Sequence, residues 1–229
     1  MSINEKYRKL CDEIKRISAS AGRNADTIKI VAVSKTFPSH TIQEAIDQGL
    51  YLFGENKVQE AKQKIPELRG SFSFHLVGHL QSNKARDAVK LFDLIHSIDK
   101  TSTANKLDFE AKKINKVQKI LVQVNTSGED TKSGIEPEDT IELFKEILIL
   151  QNISILGLMT IGPLTEDKNR IRESFKILKN ILAEVNKELG ININELSMGM
   201  SSDYPIAIEE GATMLRIGSA IFGERNYSQ

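Results

Sequence analysis

A lysine closes the most apolar stretch near the N-terminus, Ile28-Lys-Ile-Val-Ala-Val-Ser-Lys35. Burial disfavours an ammonium, so a strand-end lysine partly withdrawn from water is a better nucleophile and can condense with an aldehyde. The plain structural alternative is a lysine that lays its stem along the strand and keeps its head in water. Two segments far along the chain bear on the choice. Ser197-Met-Gly-Met-Ser-Ser-Asp203 carries Gly199, Ser201 and Ser202, and Arg216-Ile-Gly-Ser-Ala-Ile-Phe-Gly223 carries Gly218 and Ser219. Glycines allow close backbone approach, and backbone amides at a helix start favour an anion. Ser-Ser-Asp is also an ordinary helix start, and strand-end glycines are often only turns. One ligand with both an aldehyde and a phosphate would account for all three stretches. Pyridoxal 5′-phosphate (PLP) has both.

The elements that must position these residues alternate along the chain. Short β-branched runs near 28–35, 51–55, 72–78, 94–98, 117–125, 153–161, 194–199 and 212–218 read as eight strands. Helix-period stretches such as 39–48, 57–67, 137–149 and 169–189 lie between them. Pro137 suits a helix first turn, and Gly49 and Gly190 suit helix ends. Alternation of this kind builds right-handed βαβ units and a parallel sheet. Eight units predict an α/β fold, a single (β/α)8 TIM barrel with an extra N-terminal helix near 4–20, in one domain over 1–229. An open doubly wound sheet is the alternative. In a barrel Val31, Val33 and Lys35 share inward parity, which puts Lys35 at the C-terminal mouth. The 197–203 and 216–223 segments become the loops after strands seven and eight, the recurrent phosphate end of that mouth.

Composition limits the partners. Lys+Arg and Asp+Glu both number 31, so the formal net charge is zero and gives no grip on nucleic acid or an anionic membrane. Cys11 is the only cysteine, which excludes an intrachain disulfide or a cysteine-rich metal site. The charged start lacks an apolar signal core. The uncharged run 147–165 is interrupted by Gly157, Gly162 and Pro163 and reads as helix end, turn and strand rather than a membrane span. A cytoplasmic location is expected. His75 and His79 straddle a strand end without a carboxylate to complete a metal set. His75 reads as a core histidine, and His96 as a residue hydrogen-bonded near the pocket or satisfied structurally. Lys84 and Lys132 lie where loops could reach the mouth, with solvated surface lysines as the alternative. Asn125 and Thr126 are placed at the pocket floor.

The motifs AVSKTFP (32–38), FGENKVQE (53–60), FHLVGHLQSNK (74–84), HSID (96–99), SMGMSSD and RIGSAIFG occur in one order. On these the chain resembles the pyridoxal phosphate homeostasis proteins, the YggS/PROSC-like family, over almost its whole length. The resemblance implies a barrel similar to the N-terminal barrel of alanine racemase, PLP held as a Schiff base on Lys35, and a role in PLP and amino-acid homeostasis without a clear catalytic activity. It further implies that Arg216 faces the pyridine nitrogen, that Gly218 and Ser219 give backbone amides and Ser201 a hydroxyl to the phosphate, and that Asn56 lies near the ring. Phe74 stands before His75 where the family often has Trp, and the position of Ser202 varies in the family. PLP, with amino acids as further small molecules, is the expected partner, and a monomer the expected state.

Arginine only donates hydrogen bonds, so Arg216 would leave the pyridine nitrogen unprotonated and the ring a weaker electron sink. That disfavours transamination and decarboxylation. Racemisation is the main alternative and needs a second base opposite Lys35. The tyrosines are Tyr7, Tyr51, Tyr204 and Tyr227; Tyr204 lies near the phosphate loop in sequence, but nothing marks it as a second base. A Schiff-base enzyme acting directly on a phosphorylated sugar is a third reading, and would be colourless where a PLP protein is yellow.

Overall fold

The computed structural model describes residues 1–129 and 133–223. Lys132 and Tyr227 lie outside them. Helix α1 (Ile3–Ser20) opens with a capping box in which Ser2 Oγ accepts from the Glu5 amide at 3.2 Å and Glu5 Oε2 from the Ser2 amide at 2.8 Å. Its buried residues Ile3, Leu10, Ile14 and Ile17 recur at helical spacing, so one face packs on the barrel.

Strand and helix then alternate to the end of the described chain: β1 (Lys29–Val33), α2 (Ser39–Asp47), β2 (Leu52–Glu55), α3 (Val58–Lys64), β3 (Ser73–Leu76), α4 (Ala85–Leu91), β4 (Leu94–Ile98), α5 (Thr101–Lys112), β5 (Gln118–Gln123), α6 (Thr140–Leu148), β6 (Ile153–Met159), α7 (Lys168–Leu189), β7 (Glu195–Ser197), α8 (Tyr204–Glu210), β8 (Met214–Ile217) and α9 (Ser219–Phe222). All neighbouring strands pair in parallel, and β1 joins β8 with Lys29 opposite Met214 and Ala32 opposite Ile217, closing the barrel. The open doubly wound alternative is thereby excluded. No helix among the described residues is long and apolar enough to cross a membrane.

Alternation along each strand sends one set of side chains into the barrel and the other under the helices. Inside, Val31, Val33, Leu52 and Val77 form one cluster and Leu94, Leu121, Met159 and Met214 another. The outer set, including Phe53 and Phe74, packs with helix residues such as Phe144 of α6 and Phe175 of α7 in the larger core between sheet and helices. Apart from β4, the strands are shorter than their apolar runs. β1 stops at Val33, and Ser34 to Phe37 make a turn closed by the Phe37 amide on the Ser34 carbonyl at 3.1 Å. β5 stops at Gln123, because the Asn125 amide turns to the Ile135 carbonyl at 2.8 Å.

Candidate functional site

At the C-terminal ends of the strands lies a cavity of about 300 Å³, within the range of small-molecule sites. Val33, Lys35, Asn56, Val77, Ile161, Met200, Ser201, Ser202, Arg216, Gly218 and Ser219 line it. Lys35, Asn56, Ser201, Arg216, Gly218 and Ser219, singled out from sequence on separate motifs, therefore meet in one place. Larger depressions of about 500 Å³ lie among α4 and α5 around Asn83 and Arg86, lined mainly by exposed polar and charged side chains. They lack the convergent donors of the strand-end cavity.

Each donor is held by local structure. Lys35 occupies the turn after β1, half-buried, two residues past the strand end. Asn56 follows β2, and Gly78 lets the β3 segment press against it: a Cβ at Gly78 would sit 2.3 Å from the Asn56 carbonyl oxygen. After β7, Gly199 takes φ +93°, and a Cβ there would meet the Ala207 Cβ at 2.5 Å, so only glycine lets this loop fold back over α8. Asp203 Oδ1 accepts from the Met200 amide at 2.5 Å and fixes the loop that presents Ser201 and Ser202. Ser201 Oγ accepts from the Ala220 amide at 3.5 Å, which joins the β7 loop to the segment after β8.

Arg216 is buried at 5% exposure. Its Nη1 donates to the Ser197 carbonyl and to Ser197 Oγ, both at 2.8 Å, and its Nη2 to the Thr160 carbonyl at 2.8 Å. All three acceptors are uncharged. Burial lowers its pKa to about 10, with Asp203 supporting the charge through space, so it remains a cation at neutral pH. A buried cation bordered by hydroxyls and backbone amides suits an electron-rich or anionic ligand group.

A second polar layer lies deeper in the barrel. His96 Nδ1 is 2.9 Å from Ser197 Oγ, and His96 Nε2 is 3.0 Å from His75 Nδ1. Burial pushes the His75 pKa down to about 4 and that of His96 well below its ordinary value, so both rings are neutral. Arginine only donates, so Ser197 Oγ accepts from Arg216 Nη1, and the same hydroxyl links it to His96 and through that ring to His75, the imidazole tautomers setting which nitrogen donates at each contact. His75 is the core histidine expected from sequence. His96 is bonded both to its neighbour ring and, through Ser197, to the pocket arginine, a chain that sequence reasoning missed.

Other expectations are corrected. Asn125 and Thr126 do not line the cavity. Asn125 Nδ2 donates to the Glu129 carbonyl and to Glu136, and Thr126 Oγ1 bonds Thr160 and Ser174 hydroxyls at 2.9 and 2.7 Å, so both brace loops behind the pocket. Lys84 ends a 3-10 turn ahead of α4 and does not line the cavity. Tyr204 is buried and its phenol is hydrogen-bonded by Glu13 of α1, outside the barrel, with its pKa raised by burial. Tyr7 bonds Cys11 and is raised to about 12 by burial, and with Tyr51 it borders a depression beside the start of β1.

Residues 8–226 match the family described as alanine racemase, N-terminal domain. The chain is 40% identical over 228 residues to the pyridoxal phosphate homeostasis protein of Aquifex aeolicus, covering 99% of this chain and 100% of that one. It is 34% identical to the protein of that name from Schizosaccharomyces pombe, over 94% and 92% of the two chains. Among solved structures, PipY of Synechococcus elongatus with PLP bound superposes with a TM-score of 0.85 at 36% identity, covering 97% of this chain and 100% of that one. An alanine racemase of Clostridium difficile gives 0.76 at 16% identity over 98% of this chain and 58% of its own, a likeness of fold.

Proposed function

This chain belongs to the family of pyridoxal phosphate homeostasis proteins, and on that premise we propose that it binds PLP through Lys35 and serves PLP and amino-acid homeostasis without turnover of its own. The observation that carries the proposal is the meeting of Lys35 with Arg216 and the donors Ser201, Gly218 and Ser219 around one cavity. These residues fit the cofactor: an amine for its aldehyde, a buried cationic donor for its ring nitrogen, and hydroxyls and amides for its phosphate. When bound, PLP supplies an electrophilic aldehyde and a ring that draws electrons from a bonded carbon.

Lys35 supplies the amine of the covalent link. Arg216, oriented by Ser197 and Thr160, donates toward the ring nitrogen and, being unable to surrender a proton at neutral pH, keeps that nitrogen unprotonated. Ser201 and the backbone of Gly218 and Ser219 hold the phosphate, and Asn56 borders the ring. The apolar wall of Val33, Val77, Ile161 and Met200 limits water beside the link. We read the whole chain as one cytoplasmic, monomeric domain.

Racemisation is the competing reading, favoured by the fold. It requires a base facing Lys35 across the substrate α-carbon. Among the described residues lining the cavity, Lys35 and Arg216 are the titratable side chains, and Arg216 holds its proton. Tyr204 is turned to Glu13. Incubating the PLP-loaded protein with L-alanine in heavy water and following the α-proton by NMR decides between the two. No exchange above that of free PLP is expected. Exchange that disappears in Lys35→Ala would overturn the non-catalytic reading.

A further inference from the structure

The turn that carries Lys35 is strained. Thr36 has φ +71°, one of two non-glycine residues with positive φ among those described. It is the third residue of the Ser34–Phe37 turn, the place where a left-handed conformation normally calls for glycine. A β-branched residue there is an outlier, and such strain persists only where the surroundings over-determine it.

The surroundings are a partly buried ionic cluster that reaches the surface at Glu60. The Thr36 amide donates to Glu60 Oε1 at 2.6 Å. Lys64 Nζ bonds the same Glu60 oxygen at 2.5 Å, Glu55 Oε1 at 3.0 Å and the Ser34 carbonyl at 3.2 Å. Ser34 Oγ donates to Glu55 Oε1 at 2.8 Å, and the Ser34 amide to the Gly54 carbonyl at 2.9 Å. Glu55 is fully buried, and the Lys64 side chain is 11% exposed. The backbone is therefore gripped immediately before Lys35 through Ser34 and immediately after it through Thr36. Both grips lead to Lys64, on the last turn of α3. None of Glu55, Glu60 and Lys64 lines the cavity.

We infer that Glu60, locked by Lys64 against Glu55, is the positioning residue that holds Thr36 left-handed and so aims Lys35 into the cofactor cavity. The inference rests on the proposed PLP link to Lys35 for its consequence, and on the turn geometry alone for its structural content. A cluster that merely stapled α3 to the barrel would stabilise the fold without governing the conformation of residue 36.

The test compares Glu60→Ala, Glu60→Gln and the double variant Glu60→Ala/Thr36→Gly in the full chain. Two readouts are taken: backbone chemical shifts of residues 34–37 in the cofactor-free protein, and PLP affinity followed by absorbance. In Glu60→Ala the left-handed shifts of Thr36 should vanish and PLP affinity should fall by about ten-fold, the equilibrium equivalent of releasing one residue from that conformation. Glycine adopts positive φ without strain, so Thr36→Gly should restore affinity to within about three-fold. Glu60→Gln keeps an oxygen for the Thr36 amide and loses the ion pair, and should fall between wild type and Glu60→Ala. It carries the comparison with Thr36→Gly if Glu60→Ala does not fold. Wild-type shifts and affinity in the Glu60 variants, or a loss that Thr36→Gly leaves unrelieved, would overturn the inference. A wild-type protein that takes up no PLP would instead defeat the reading on which the consequence rests, and the chemical shifts would still decide the clamp.

Discussion

His96 Nδ1 lies 2.9 Å from Ser197 Oγ, the same oxygen that accepts a hydrogen bond from Arg216 Nη1 at 2.8 Å. One hydroxyl thus couples the cation at the cavity wall to two neutral histidines inside the barrel. Ser197→Ala removes an acceptor from Arg216 and leaves His96 Nδ1 buried without its hydroxyl partner. A loss of about 1–3 kcal/mol is expected. Urea unfolding of the cofactor-free protein measures it, and an unchanged midpoint would show that the serine is dispensable.

The same chain sets a pH dependence. The folded pKa of His75 is about 4 and that of His96 is also depressed, both by burial, so the unfolded chain binds protons that the folded protein refuses. The contribution is complete above the unfolded histidine range and is lost as pH falls toward the folded values; for His75 alone it amounts to about 3 kcal/mol. Glu55 and Asp203, raised by burial, act in the opposite sense, so the raw stability slope mixes the two. NMR of the imidazole carbons separates them. The His75 and His96 signals should stay at neutral-ring positions from pH 7 to 5. A midpoint near 6.5 for either ring would contradict the buried-chain geometry.

Arg216→Lys tests the guanidinium fork. Arg216 reaches the Ser197 and Thr160 carbonyls from two nitrogens at 2.8 Å each. A single ammonium cannot reproduce that spread, so one carbonyl loses its partner and the charge is free to shift. PLP affinity should fall by about ten-fold or more, with a displaced absorbance maximum, on the loss of one charge-assisted contact. Binding and spectrum equal to wild type would remove Arg216 from the ring site.

Gly78→Ala probes the support of Asn56. The new methyl would lie 2.3 Å from the Asn56 carbonyl oxygen and 2.8 Å from its Cα, a backbone clash that no rotamer relieves. Stability should drop by about 1–3 kcal/mol, and PLP binding should weaken because Asn56 must move. Calorimetry and a PLP titration read the two effects.

The barrel, the strand-end lysine and the glycine-serine loops were legible in the sequence for a physical reason, whereas Asn56 and Arg216 were singled out by the family resemblance. β-branched runs separated by helix-period stretches leave few options besides a parallel barrel, and period-two parity places Val31, Val33 and then Lys35 toward its mouth. What could not be read was pairing across strands. His96 meets Ser197 across 101 residues, and neither motif names the other. The positive φ of Thr36 was hidden because no glycine marks it. Glu55 ends a strand and Glu60 and Lys64 fall in a helix-period stretch, and nothing local shows that Glu60 and Lys64 reach the backbone on either side of Lys35. Asn125 and Thr126 were misplaced because the apolar run was taken for the strand, whereas the chain leaves β5 at Gln123.

The most direct test is borohydride reduction of the PLP-loaded protein followed by peptide mapping. A single pyridoxyl group is expected on Lys35 and none in Lys35→Ala. A label on other lysines alone, or a yellow complex that survives Lys35→Ala, would contradict it.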